Sequence, residues 1–243
     1  MKRLASLASF ALFASLLLSG CSALTADIKK IWDVSRQKPQ DVVLTAEQIA
    51  ELPYTAIYAR VDGGTQVLIV LGFVNQTSAV ERLTWVTGGR ETLVTEHNRI
   101  ISTAGLAVDL AGVSNLTADP LRCILTTVNA SATNANCPTK WTRQIDIQPT
   151  YSHPNYKKSS EPRSTDTVVS RFTVIGPETV ALPSGLTQVT RVQEQGQFMF
   201  TGQAFTNEFW LAADGHVVKS RQQLTANTKP IELTQVKWVG RND

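Results

Sequence analysis

The chain has 243 residues, with 23 Lys and Arg against 20 Asp and Glu. The net charge is +3, and Lys2 and Arg3 supply two of the positive charges, so the balance lends no support to a nucleic-acid role. Hydrophobic residues make up 42% of the chain, enough for a core, and the length suits one large all-β domain or two small ones.

In chain order, Met1-Lys2-Arg3 is a short basic start, Leu4 to Leu18 carry no charge, and Ser19-Gly20 precede Cys21. This is the layout of a secretory signal peptide. It is shorter than the ~20 apolar residues of a membrane-spanning helix. Leu18-Ser19-Gly20-Cys21 resembles the lipobox of bacterial lipoproteins. The resemblance implies a diacylglycerol (palmitate-type chains) on the Cys21 thiol, cleavage after Gly20, and acylation of the new amino terminus. Residues 1–20 are then the signal peptide. Two or more acyl chains hold a protein on a membrane where one binds only reversibly. Ser22 rather than Asp follows the cysteine, and the sorting rule of such lipoproteins then implies the outer membrane. The competing reading is an ordinary signal peptide with a chance cysteine.

Residues 21–43 read as the lipidated terminus and a tether, with a helical turn around Ile28 to Val34, and residues 44–243 as a single β-rich domain. Leu44 to Leu52 form a short N-terminal helix. Thr45 with Gln48 makes a capping box, Leu44 and Ile49 a hydrophobic staple, and Pro53 the stop. Beyond it, strand-like runs recur with turn residues between them. They are Ala56–Val61, Val67–Val74, Leu83–Thr87, Glu91–Glu96, Arg99–Thr103, Arg122–Val128, Lys140–Gln148, Thr167–Ile175, Gln188–Gln195, Ala204–Ala212, His216–Leu224 and Ile231–Val239. Gly63-Gly64, Gly88-Gly89 and His97-Asn98 read as tight turns, with Asn98 taking a positive φ. Asp214-Gly215 reads as a type I′ turn. Phe205, Asn207, Phe209 and Leu211 share one face of their strand, while the return strand is polar on both faces beyond Val218. That polarity predicts an edge or a wet groove. A small helical piece is expected around Ser114 to Ala118, and His153 to Arg163 reads as a polar loop. The pattern predicts a mainly β fold: an antiparallel, barrel-like meander.

With Cys21 lipidated, Cys123 and Cys137 remain. An oxidising periplasm predicts a disulfide between them, closing a polar loop. Their spacing is not that of a Cys-x-x-Cys redox pair. His97, His153 and His216 are scattered and fit no zinc pattern, so neither a metal nor a cofactor beyond the covalent lipid is expected.

The order of motifs resembles a known group. After the lipobox come Leu52-Pro53-Tyr54 with Tyr58, Gly63-Gly64, Leu68-Ile69-Val70-Leu71-Gly72 and Trp85-Val86-Thr87. Leu93-Val94-Thr95-Glu96-His97 with Arg99 follow, then Ala118-Asp119-Pro120-Leu121 and Trp141-Thr142-Arg143. Phe209-Trp210 then leads to Asp214-Gly215 with Ser220, Arg221 and Gln222. This looks like the YjbF/GfcB family of outer-membrane lipoproteins of exopolysaccharide and capsule systems. The resemblance implies a barrel-like β fold on an outer-membrane anchor. It also implies a role in making or exporting an extracellular polysaccharide, beside a periplasmic partner and an outer-membrane barrel protein.

For chemistry, a glycosidase needs two facing carboxylates, and nothing in the spacing of Glu91, Glu96, Asp109, Asp119, Glu194, Glu208 and Asp214 pairs them. No nucleophile elbow or phosphate-binding glycine loop occurs. A sugar site pairs aromatic planes with hydrogen-bonding side chains. Trp141 with Arg143, Trp85 with Arg90, and Trp210 with Arg221 across the last hairpin are the candidate contacts, the alternative being that these tryptophans are core. The leading expectation is a non-enzymatic accessory factor in polysaccharide assembly or export. A polysaccharide-binding module and a polysaccharide-modifying enzyme are the other readings.

Overall fold

Alternation of apolar and polar residues builds nearly the whole body from strands. The computed structural model describes residues 40–76, 80–129, 136–149 and 163–239. The signal peptide, Cys21, the tether as far as residue 39 and the polar loop up to residue 162 lie outside the described residues.

Helix α1 spans Ala46–Glu51 with the expected capping box: Gln48 N donates to Thr45 Oγ1, and Thr45 N donates to Gln48 Oε1. Then come β1 (Ala56–Val61), β2 (Val67–Asn75), β3 (Arg82–Val86), β4 (Thr92–Glu96), β5 (Arg99–Ala104) and β6 (Val108–Val113). A 3-10 turn (Leu116–Ala118) and helix α2 (Pro120–Asn129) follow. The chain ends in β7 (Lys140–Pro149), β8 (Ser164–Leu182), β9 (Gly185–Phe198), β10 (Ala204–Leu211), β11 (Val217–Gln222) and β12 (Ile231–Lys237). All twelve strands join one antiparallel sheet in the order β5-β4-β3-β2-β1-β12-β11-β10-β9-β8-β7-β6. The chain therefore meanders outward, returns through β12 beside β1, and brings the two end strands together at the β5–β6 connection.

Side chains complete that closure. Leu110 N donates to Thr103 Oγ1 (2.9 Å), and Thr103 Oγ1 donates to Asp109 Oδ1 (2.9 Å). Asp109 also accepts from the backbone N–H groups of Gly105 and Leu106, which fixes the turn between β5 and β6. The sheet is a nearly closed barrel. Its outward positions on β9 and β10 include Gln193, Gln195, Thr206 and Glu208, a polar surface unlike the apolar band of a lipid-facing barrel. Among the described residues no helix is long and apolar enough to cross a membrane.

Several expectations are corrected. Arg122–Val128 is helix, not strand. Asp119 Oδ1 accepts from Leu121 N (3.0 Å), and Pro120 occupies the first helical position. Asp-Pro is thus a helix start, and it outweighs the β-branched residues that follow. Leu121, Ile124 and Leu125, spaced i, i+3, i+4, all face inward. Val108–Val113, not among the expected strands, is also a strand.

At Asp214-Gly215 only the glycine has positive φ (78°), and Gly215 N donates to Ala212 O (2.9 Å), so the turn is not type I′. At the β4–β5 turn both His97 (49°) and Asn98 (59°) are left-handed. The polar strand β11 is no edge: it lies between β10 and β12, with Ser220 and Gln222 fully buried. Asp41 and Val42, read as tether, dock on the body. Asp41 pairs with Arg60 (2.6 Å), and Val42 N donates to Gln66 O (3.0 Å).

The interior has two main apolar clusters. One joins Ile57, Ile69, Trp85, Ile100, Leu110, Phe198, Phe205 and Leu233; the other joins α2 to Trp141, Phe172, Phe209 and Leu211. The distal part of the β8–β9 hairpin packs over the outer face, where Leu182 and Val189 cover Trp210 and Val218.

Candidate functional site

On each of four neighbouring strands one polar residue stands between inward apolar or small residues. Arg143 lies between Trp141 and Ile145, Ser170 between Val168 and Phe172, Glu194 between Val192 and Gly196, and Asn207 between Phe205 and Phe209. Strand pairing brings these side chains to one level, where they are buried with Arg99 of β5 and Asp119. Glu194 Oε2 accepts from Arg99 (3.0 Å) and Asn207 Nδ2 (3.1 Å), and its Oε1 accepts from Arg143 (2.7 Å). Arg99 also pairs with both oxygens of Asp119, and Arg143 donates to Ser170 Oγ (3.2 Å).

Trp141 takes both guanidiniums against its ring, Arg143 at 4.2 Å and Arg99 at 4.7 Å, and Phe209 lies 5.0 Å from Arg99. Burial opposes ionisation of Glu194, but Arg143 and Arg99 outweigh it and hold the carboxyl at about 2, with Asn207 and Ser170 assisting. Burial also disfavours charge on Arg99, yet Asp119 and Glu194 raise its pKa. On Arg143 burial prevails and the pKa falls, though not far enough to discharge an arginine. The knot is closed and mutually neutralised: Glu194 is fully buried and held ionised by its two arginines, so in this state it carries no proton to donate as a general acid.

A second constellation lies where the β4–β5 and β10–β11 turns meet β12. A cavity of about 220 Å³ opens there, lined by Trp85, Thr95, Asp214, His216, Gln235 and Trp238 among others. Trp238 is half-buried and packs edge-to-face with Trp85 (6.3 Å) and His216 (4.7 Å). Trp85 Nε1 donates to Thr95 Oγ1 (2.9 Å), and His216 Nε2 lies 2.5 Å from Gln235 Oε1. His97 sits at the rim. Desolvation by the surrounding protein lowers its pKa, helped by Arg122 and opposed mainly by Glu96. A groove of about 660 Å³ adjoins, between α1, the β10–β11 turn and the tip of the β8–β9 hairpin. It shares Asp214, His216, Gln235 and Trp238 with the cavity.

The six residues singled out from sequence are not brought together. Trp141 and Arg143 do meet, but 2% and 6% exposed inside the knot. They lie on one inward face two residues apart. Trp85 lines the cavity. Arg90 is exposed in the β3–β4 turn with φ 80°. Trp210 packs outside the barrel, where its Nε1 donates to Glu178 Oε1 (2.5 Å). Its partner across the hairpin is Lys219, while Arg221 lies opposite Glu208 in the strand register and contacts Asp62 at 3.5 Å. Sequence reasoning missed Trp238, His216 and Gln235 as a group, because their meeting depends on the register of β12 against β11, and their meeting with Trp85 on β12 returning beside β1. Cys123 and Cys137 are disulfide-bonded, with Cα atoms 5.6 Å apart, and tie α2 to the start of β7.

The family described as group 4 capsule polysaccharide lipoprotein GfcB, YjbF matches residues 15–236. The chain belongs to the YjbF family. Its relatives include the uncharacterized lipoprotein GfcB of Escherichia coli K12, 30% identical over 95% of this chain and 96% of that protein. Another is the uncharacterized lipoprotein YjbF of the same organism, 31% identical over 91% and 93%. The crystal structure of the hypothetical lipoprotein YmcC from Escherichia coli K12 superposes with a TM-score of 0.66. It is 27% identical and covers 87% of this chain and 94% of its own. The YjbF family thus supplies the fold and the lipoprotein character; the Arg99–Glu194–Arg143 knot lies inside the matched region, and of the cavity residues named above all but Trp238 do.

Proposed function

We propose that this chain is an outer-membrane lipoprotein, held on the periplasmic face by acyl chains on Cys21. There it acts as a non-enzymatic accessory factor in the assembly or export of a capsular or extracellular polysaccharide. The observation that carries this reading is the family match across residues 15–236, which takes in the lipobox and the described body as far as residue 236. An outer-membrane barrel protein and a periplasmic partner of the secretion system are its expected neighbours. The interior supports a scaffold: apolar clusters and the Arg99–Glu194–Arg143 knot fill it. The buried carboxylates Glu194 and Asp119 both belong to Arg99, which leaves neither poised for glycosidic chemistry.

A polysaccharide-binding module is the second reading, and the aromatic cavity favours it. The experiment is deletion of the gene followed by complementation with the intact chain, measuring surface polysaccharide and fractionating membranes. Loss of surface polymer on deletion, its return on complementation, and recovery of the protein with the outer membrane are expected. Unchanged surface polymer after deletion would contradict the reading.

A further inference from the structure

We propose that the cavity beside Trp238 binds one pyranose residue of a neutral or amino-sugar polysaccharide, with the flanking residues of that polymer lying along the adjoining groove. The choice of polymer rests on the polysaccharide reading above. Shape, wall chemistry and charge of the cavity give the rest.

The cavity, at about 220 Å³, is smaller than the ~300–1,000 Å³ typical of sites for drug-sized ligands, so it suits one ring rather than a larger molecule. The groove is about three times as large and meets the cavity at Asp214, His216, Gln235 and Trp238. A blind hole would suit a free monosaccharide; a hole opening into a long groove suits one residue within a chain.

The walls divide as a sugar does. A pyranose has faces of C–H groups and a rim of hydroxyls. Trp238, Ile57, Leu83 and Leu233 offer the apolar surface, whereas Asp214, Asn98, Thr234 and Gln235 offer donors and acceptors. These groups are set before a ligand arrives. Trp238 is wedged between Trp85 and His216, Trp85 is pinned to Thr95, and β12 lies between β1 and β11. Rigid walls reduce the ordering cost of binding.

Charge narrows the sugar class. Glu81 and Asp214 line the cavity, and none of its described lining residues is Lys or Arg. Lys237, in the groove, directs its Nζ to the carbonyls of Ala50 (2.7 Å) and Leu52 (2.6 Å). A uronate would meet the carboxylates of Glu81 and Asp214, with no lysine or arginine among the described lining residues of the cavity. An uncharged sugar is tolerated, and an ammonium group is attracted.

The test uses the intact lipidated protein in detergent micelles. The ligands are oligosaccharides made by partial hydrolysis of the producing cell's own surface polysaccharide, separated into neutral, amino-sugar and uronic fractions. Calorimetric titration should show saturable binding of a neutral or amino-sugar fraction. Trp238→Ala should weaken it roughly tenfold or more, and Trp238→Phe should restore most of it. Asp214→Asn should weaken an amino-sugar fraction selectively. Thermal unfolding of each variant checks that the body is intact.

Preferential binding of the uronic fraction, binding indifferent to Trp238→Ala in a folded variant, or binding of no fraction would overturn the proposal. If deletion abolishes surface polymer while no fraction binds, only the site proposal fails. If deletion leaves surface polymer unchanged, the export reading fails instead.

Discussion

Removing the Glu194 carboxylate, as in Glu194→Ala, leaves Arg143 only 6% exposed with Ser170 as its remaining side-chain acceptor, while Arg99 keeps Asp119. Breaking a buried ion pair from one side costs ~3–5 kcal/mol, because the surviving charge stays desolvated. The lowered pKa of Glu194 points to a similar size. Displacement of the Glu194 pKa from 4.5 to about 2 is worth about 3 kcal/mol at neutral pH. For a body of this length each kcal/mol moves the midpoint by ~2–4 °C, so Tm should fall by roughly 6–20 °C. Urea unfolding with the disulfide intact, alongside calorimetry, reads both quantities.

The pH dependence follows from the sign of the shift. The folded-state pKa lies below the unfolded one, so the stabilisation is complete above about 4.5 and is lost as pH falls toward about 2. The wild-type protein should lose this part of its stability across that window, and Glu194→Ala should not. A variant destabilised by less than about 1 kcal/mol, or one with an unchanged acid limb, would refute the reasoning.

Three further outcomes are expected. A Cβ on Gly196 would stand 2.5 Å from Phe205 Cζ and 2.8 Å from Ser170 Cβ, so Gly196→Ala must displace the Phe205 ring. Denaturant titration should show a loss of ~1–3 kcal/mol, and a neutral effect would mean the ring is loosely held. Trp85→Phe leaves fully buried Thr95 without its indole donor. It should cost ~1–3 kcal/mol by the same assay, whereas unchanged stability would show Thr95 satisfied otherwise. Replacing Cys123 and Cys137 together by Ser opens a loop with a sequence separation of 14. It should lower stability by ~3 kcal/mol on the chain-entropy estimate, and equal midpoints for the variant and the parent would count against the bond.

Much of the architecture was legible because alternation and turn chemistry are local. Thr45-x-x-Gln48, Gly63-Gly64 and His97-Asn98 each specify geometry within four residues, and the structure has a helix or a turn at each. The family resemblance, resting on motif order, extended that reading to the closed fold. What was not legible depends on partners far along the chain. Arg143, Glu194, Asn207 and Arg99 are polar residues at inward positions, and alternation alone does not say what partners them there. Their burial follows from each supplying the other's missing partner, which only the strand order reveals. Arg122–Val128 misled for the opposite reason: the local β-branched content was real, but Asp119-Pro120 set the helix start. The cavity was hardest to see. Trp85, His216 and Trp238 meet only because β12 closes beside β1, and Trp238 lies at the end of a strand with no motif of its own.

If acyl chains on Cys21 hold this body where polysaccharide leaves the cell, the decisive measurement is surface polysaccharide in cells whose only copy carries Cys21→Ala. The expected result is protein in the soluble or uncleaved fraction, with surface polymer reduced to the level of a gene deletion. Normal surface polymer from cells holding only the soluble, unacylated protein would contradict it.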